Sequence, residues 1–298
     1  MKFEIVCDGA ADLSVDYIQK AKISVVPFYV SMDSKLYLKE GIDISVQDFY
    51  QQMVDNPGCF PKTSMPSVQD YMEAFIPLVE KNMPVLCICL TRKFSGSVQS
   101  AITAKKTVEE EYPGSRIYVM DSQMVTDLEG LFVAEAVRVR DLNVPFEKAI
   151  SLLEGIRNTG HIFFTTRDLK YLQRGGRLGK VACIAGSILN LKPVLHFYNG
   201  ELGTTEVCRG RKKSLEKVVS HFFNYLKENR IDLKKYLFAT GVGLETPEYE
   251  ELIEMLQDRF DELGIRLEHW AKMQIGATIG VHTGPFPVGL GILKKCEI

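Results

Sequence analysis

Along the first half of the chain, short apolar runs alternate with longer segments whose apolar positions recur at helical spacing. Residues 3–7, 23–30, 85–90 and 116–120 have strand length, whereas Val68–Val79 and Ser97–Glu111 carry the three-to-four-residue period of amphipathic helices. The alternation predicts a βαβ rhythm. Strands rich in Val and Ile on both faces suit a largely parallel sheet covered by helices, so a Rossmann-like α/β lobe is expected over residues 1–160.

The second half has a different pattern. Lys192-Pro193-Val194-Leu195-His196-Phe197-Tyr198 runs into Asn199-Gly200, a pair that favours the tight turn of a β-hairpin. Helices are predicted over 212–228 and 247–263, the second opened by Thr246 as N-cap with Pro247 in its first turn. Strands are expected over 236–240, 266–271 and 277–282. Residues 161–298 thus predict an α+β lobe with a mixed or antiparallel sheet, and the whole chain an α/β protein of two domains.

Composition narrows the class. At 298 residues the chain is long enough for two cores, and 46% hydrophobic with 25% charged residues is the balance of a globular protein. The start, Met1-Lys2-Phe3-Glu4, is unlike a secretory signal, and no apolar run approaches the ~18 residues of a membrane span, which predicts a cytoplasmic protein without stable membrane insertion. Seven scattered cysteines suggest reduced packing thiols, and five dispersed histidines lack any HExxH or CxxC companion. No cofactor and no metal are expected.

Charge is uneven. The net charge is −2, yet residues 167–213 hold ten Lys/Arg against three Asp/Glu. One face should be locally basic, either as a solvated surface or as a dock for an acidic partner. Few aromatics interleave with these residues and no nucleic-acid-binding signature is visible, so nucleic acid is not an expected partner.

Catalytic motifs fail one by one. There is no G-x-S-x-G elbow. The segment Arg174-Gly175-Gly176-Arg177-Leu178-Gly179-Lys180-Val181 lacks the first glycine and the final Ser/Thr of a phosphate loop, and Gly241-Val242-Gly243 lacks the third glycine of a dinucleotide fingerprint. What remains is a series of hydroxyl-bearing residues at expected strand-to-helix junctions: Thr63-Ser64-Met65-Pro66-Ser67, Thr91-Arg92-Lys93-Phe94-Ser95-Gly96-Ser97 and Asp121-Ser122. Ligands of parallel α/β sheets bind at such junctions, and Ser95-Gly96-Ser97 opens a helix whose free amides favour an oxyanion. Ser67 and Ser97 are expected to be N-caps, and Ser95 a ligand group.

Taken in order, these segments resemble the DegV family of fatty-acid-binding proteins, which serve as FakB-type subunits of the bacterial fatty acid kinase system. Asp8-Gly9-Ala10-Ala11-Asp12-Leu13, Thr63–Ser67 and Phe94-Ser95-Gly96-Ser97-Val98-Gln99-Ser100-Ala101 match its first motifs, and Val119-Met120-Asp121-Ser122 the next strand end. Leu169-Lys170-Tyr171-Leu172-Gln173-Arg174-Gly175-Gly176-Arg177, Leu191-Lys192-Pro193-Val194-Leu195 and the segment from Gly276 to Pro285 complete the set. Departures from the pattern fall at Gly9, Met65, Arg92 and Phe286-Pro287.

The resemblance implies a non-catalytic subunit that holds a long-chain fatty acid in a tunnel between its lobes and presents the carboxylate to a separate ATP-dependent fatty acid kinase. It places the carboxylate on Thr63, Ser95 and His282, with Ser64, Arg92, Gly96, Ser97, Asp121, Ser122 and Thr283 as neighbours of the head group. Burying a sixteen-carbon chain at roughly 0.8 kcal/mol per methylene gains about 12 kcal/mol before entropy and desolvation, so the tail would supply most of the affinity. Arg174, Arg177, Arg209 and Arg211 are the expected kinase-docking residues. The competing expectations are a serine hydrolase or acyltransferase using Ser95 and His282, and a nucleotide-dependent regulator.

Overall fold

The computed structural model describes residues 2–177, 191–264 and 270–298. The first half contains β1 (Glu4–Asp8), α1 (Val15–Ala21), β2 (Ser24–Val26), β3 (Tyr29–Ser31), β4 (Leu38–Lys39), α2 (Val46–Asp55), β5 (Lys62–Ser64) and α3 (Val68–Val79). It continues through β6 (Val85–Cys89), α4 (Ser97–Glu111), β7 (Ile117–Asp121), α5 (Thr126–Asp141) and α6 (Phe146–Ile156). In the second half lie β8 (His161–Thr165), α7 (Lys170–Arg174), β9 (Leu191–Tyr198), β10 (Glu201–Arg209), α8 (Arg211–Glu228) and β11 (Tyr236–Val242). After these come α9 (Pro247–Glu262), β12 (Ala271–Gln274), α10 (Ala277–Thr283) and β13 (Val288–Lys294).

The α/β architecture follows the hydrophobic pattern. A four-stranded parallel sheet has the order β2-β1-β6-β7, and β6, buried at every position, lies inside it. Such a strand needs cover on both faces, which its run of Val, Leu, Cys and Ile anticipates. A six-stranded mixed sheet has the order β10-β9-β8-β13-β11-β12, in which only β11 and β12 pair in parallel. The expected hairpin joins β9 to β10, with Asn199 and Gly200 both at positive φ.

Three expectations change. Residues 23–30 form two strands rather than one: β2 pairs with β1, then Pro27 interrupts, and β3 enters a separate antiparallel sheet with β4 and β5. Proline has no N–H for a ladder, so the chain switches sheets there. Residues 277–282, expected as a strand, lie in the helix α10. Of the strand expected over 266–271, residues 266–269 fall outside the described residues, and β12 begins at Ala271.

The two halves share a core. One buried cluster combines Phe3, Leu86 and Phe132 from the first half with Leu195, Phe197 and Leu293 from the second. Helix α5 sits at this junction, touching β1 of the parallel sheet and β11 and β13 of the mixed one. Nearly every position of α5 from Thr126 to Ala136 is buried, the acidic Asp127, Glu129 and Glu135 included, so its burial is not confined to one apolar stripe. No helix among the described residues is long and apolar enough to cross a membrane.

Candidate functional site

A cavity of about 170 Å³ lies between the halves. Leu90, Phe94 and Val125 line it from the first half, and Ile162, Phe164 and Phe197 from the second. The wall is predominantly apolar, and the polar groups on it are few. Thr63 of β5, Ser95 before α4 and His282 of α10 all lie on that wall, so three distant segments meet there.

Helix α10 brings His282 into place. Its sequence, Ala-Thr-Ile-Gly-Val-His-Thr, is rich in β-branched residues and favours a strand locally. Tertiary contacts override that preference. Glu40 accepts hydrogen bonds from the backbone amides of Ala277 and Thr278 and from the Thr278 hydroxyl, satisfying donors of the first turn. The Tyr50 hydroxyl donates to the carbonyls of Ile275 (3.0 Å) and Gly276 (3.2 Å), and fixes the entry to the helix.

At the other end of α10 the imidazole packs tightly. His282 Nε2 is hydrogen-bonded to Thr63 Oγ1 at 3.3 Å, and Nδ1 is buried with no hydrogen-bond partner among the described residues. A Cβ on Gly175 would stand 2.2 Å from Nδ1, so only glycine lets α7 close over the ring. Burial, aided by the positive charges of Arg177 and Lys62, pushes the His282 pKa down to about 3. The ring is therefore neutral at physiological pH, and an arriving carboxylate would meet a neutral donor within a positive field.

Ser95 Oγ accepts from the amide of Ser97 at 3.1 Å, leaving its proton to donate to a ligand oxygen. Ser95 and His282 are not hydrogen-bonded to each other among the described residues, where His282 pairs with Thr63 instead. A serine nucleophile needs a base within reach, and a histidine with a pKa near 3 is a weak base at neutral pH.

The other expected head-group neighbours divide. Gly96 and Thr283 line the cavity, the Thr283 hydroxyl donating to the carbonyls of Ile279 and Gly284. Ser64, Arg92, Ser97, Asp121 and Ser122 are not among its lining residues. Arg92 instead pairs with Asp121 (Nε to Oδ2, 2.7 Å), with its side chain 64% exposed. Ser122 Oγ accepts from the Met124 amide. Ser97 is not the N-cap of α4, a place taken by Gly96; its hydroxyl donates to Asp8 and meets the Tyr71 hydroxyl, both at 2.6 Å. Ser67 is the N-cap of α3, closing a capping box with Asp70.

The basic set also divides. Arg209 is exposed, and Arg174 is exposed with its guanidinium over the Phe60 ring at 4.6 Å. Arg211, expected at a docking surface, is turned inward instead. Its side chain is only 12% exposed and binds Glu248, Thr165 and the Phe286 carbonyl. Glu248 on α9, which also pairs with Arg167, gives the buried guanidinium a compensating carboxylate. Arg177 also departs from the docking expectation, since it lines the cavity and donates to the carbonyls of Phe94 and Gly175. Residues 178–181 of the loosely phosphate-loop-like segment lie outside the described residues.

Met65, Arg177 and Asp127 are wall residues whose placement local sequence does not signal. Met65 packs against Gly96, where a Cβ would stand 2.5 Å from its sulfur. Phe286 does not line the cavity, and its ring lies under the Arg167 guanidinium at 3.7 Å. No cluster of three or more His, Cys, Asp or Glu able to hold a metal occurs among the described residues.

This architecture recurs in known proteins. A stearic acid-binding protein from Eubacterium ventriosum superposes with a TM-score of 0.92 at 38% identity, covering 98% of each chain. A fatty-acid-binding DegV family protein from Thermus thermophilus gives 0.85 at 28% identity, covering 99% of this chain and 100% of its own. A DegV domain-containing protein of Caldanaerobacter subterraneus subsp. tengcongensis is 34% identical over 296 residues, 99% of each chain. The family described as "Uncharacterised protein, DegV family" matches residues 2–295, so by both the family match and the full-length relative this chain belongs to the DegV family.

Proposed function

We propose that this protein binds a long-chain fatty acid in the cavity between its halves, with the carboxylate on Thr63, Ser95 and His282. The observation that carries the reading is one apolar cavity on whose wall the hydroxyl-bearing Thr63 and Ser95 and the neutral imidazole of His282 come from three separate segments. Burial of the tail stabilises the complex, and charge-assisted hydrogen bonds offset the several kcal/mol that an unpaired buried carboxylate would cost. Arg177 on the same wall adds positive potential. The stearic acid-binding neighbour, 38% identical over almost the whole chain, supports the same ligand class.

A cavity of about 170 Å³ is near the size of an engineered cavity of about 150 Å³ that accepts benzene, so a full acyl chain must widen it. Met65, with its flexible thioether chain, is suited to yield. We propose further that the protein presents the carboxylate to a separate ATP-dependent fatty acid kinase without catalysis of its own. Arg209 and Arg174, the outward-facing pair of the basic set, then form the docking surface. Organic extraction and mass spectrometry of the purified protein test the ligand. Roughly stoichiometric fatty acid is expected; lipid-free protein whose melting temperature does not respond to added fatty acids would refute the reading.

A further inference from the structure

The cavity wall carries a second group that the carboxylate site leaves unused. Asp127, in the first turn of α5, lines the cavity and is 1% exposed. Its Oδ1 accepts from the Leu128 amide at 3.0 Å, whereas Oδ2 is buried with no hydrogen-bond partner among the described residues. Other polar groups nearby are already engaged: the Thr126 hydroxyl donates to Asp12 and the Thr278 hydroxyl to Glu40. Oδ2 faces Gly241 of β11 and Gly291 of β13, where added Cβ atoms would stand 3.3 and 2.9 Å from it. Two glycines on adjacent strands thus leave room for a carboxyl group in an apolar wall.

Backbone geometry supports a built feature. Thr126, just before Asp127, has φ of 51°, a left-handed conformation that a β-branched residue seldom adopts. The location is also separate from the carboxylate site. Oδ2 shares its neighbourhood at Gly241 with Ile275, which precedes α10, whereas His282 lies beyond that helix's midpoint. Thr278 and His282 alone are about 6 Å apart along the helix axis.

Resting on the fatty-acid reading, we propose that the preferred ligand is a hydroxylated fatty acid, whose chain hydroxyl, several methylenes from the carboxylate, is bound by Asp127. A plain methylene chain would leave Oδ2 desolvated and unpaired. A hydroxyl both donates and accepts, so it satisfies the aspartate in either protonation state. Burial pushes Asp127 up to about 7, which keeps a large share of it neutral and able to donate. Sites that bind a substrate hydroxyl discriminate far more strongly against its absence than apolar pockets do against one extra methylene.

The test is calorimetric titration of the delipidated full-length protein with stearate and with a positional series of monohydroxystearates. At least one isomer should bind tenfold or more tightly than stearate. Asp127→Leu should erase that preference or reverse it, and Asp127→Asn, which keeps hydrogen-bonding capacity, should retain it. The proposal fails if stearate binds as tightly as every isomer, or if folded Asp127→Leu keeps the wild-type ratio. Should Asp127→Leu not fold, the wild-type ratio and Asp127→Asn still decide. Failure of all these lipids to bind would overturn the fatty-acid reading itself, a result distinct from stearate binding without preference.

Discussion

His282 sits where a single added methyl would displace it, because Gly175 offers 2.2 Å between a Cβ and Nδ1. We expect Gly175→Ala to overpack this site, lowering stability by about 1–3 kcal/mol in denaturant unfolding, and to weaken fatty acid binding by moving the donor. Ser95→Ala and His282→Ala remove the donors themselves. A hydrogen bond to a charged group contributes about 1.5–3 kcal/mol, so each should weaken binding by roughly ten- to a hundredfold in a titration with stearate. Unchanged affinity in both variants would remove Ser95 and His282 from the head-group site. At this scale the place of Ser95 on the cavity wall was legible from its position before a helix, and that of His282 through its motif. Asp127 was not, because an acidic residue at the start of a helix ordinarily reads as favourable contact with free amides at a solvated end.

Helix α10 shows what an element owes to its neighbours. Seven residues are too few to form a stable helix alone, and this segment's β-branched composition makes it poorer still. Glu40, Tyr50 and the packing against α2 and α7 hold it. Tyr50→Phe deletes the hydroxyl that binds the carbonyls of Ile275 and Gly276 while preserving the ring. The expected cost is about 1 kcal/mol in denaturant unfolding, with weaker fatty acid binding as His282 loses its fixed position. Unfolding free energy and affinity both equal to wild type would show that α10 needs no such anchor. By contrast, α3 and α4 were legible in full, since each keeps an amphipathic period over 12 and 15 residues.

Across the whole molecule, buried carboxyls set the pH response. Burial raises Asp8 to about 6 and Asp127 to about 7, and raises Glu40, Asp12 and Glu129 as well. A carboxyl with a raised folded pKa adds stability at low pH that is lost as pH climbs through that pKa. Burial lowers His161 and His196 to about 4 and His282 to about 3, so their contribution is instead present above about 6.5 and lost on acidification. The two effects oppose each other below about 6.5. Above it, of these groups, the carboxyls alone still titrate, and unfolding free energy should fall between roughly pH 6.5 and 8, Asp127 contributing about 1 kcal/mol. Asp127→Asn should flatten the decline by that amount; an unaltered pH slope in denaturant titrations would show that Asp127 titrates normally. On the outer surface, Arg209→Ala should keep fold and lipid content but slow association with a fatty acid kinase at low salt. An association rate equal to wild type under those conditions would exclude Arg209 from the interface.

Hydrophobic periodicity and turn chemistry were enough to determine the α/β class, the parallel strands β1, β6 and β7, the hairpin at Asn199-Gly200 and the helices α3, α4, α8 and α9, because these depend on spacing within a few residues. Ordered motifs identified Thr63, Ser95 and His282, which the fold brings onto the wall of one cavity. Only the tertiary structure decided that residues 277–282 are helical, that Arg177 and Arg211 turn inward, and that Asp127 lines the cavity with one carboxyl oxygen unpaired among the described residues. Each of these outcomes depends on partners more than thirty residues away: Glu40 at the start of α10, Phe94 beside Arg177, Glu248 against Arg211, and the glycines of β11 and β13 opposite Asp127. Local sequence encodes a residue's own conformational preference, whereas burial and pairing are settled by what the rest of the chain brings to it.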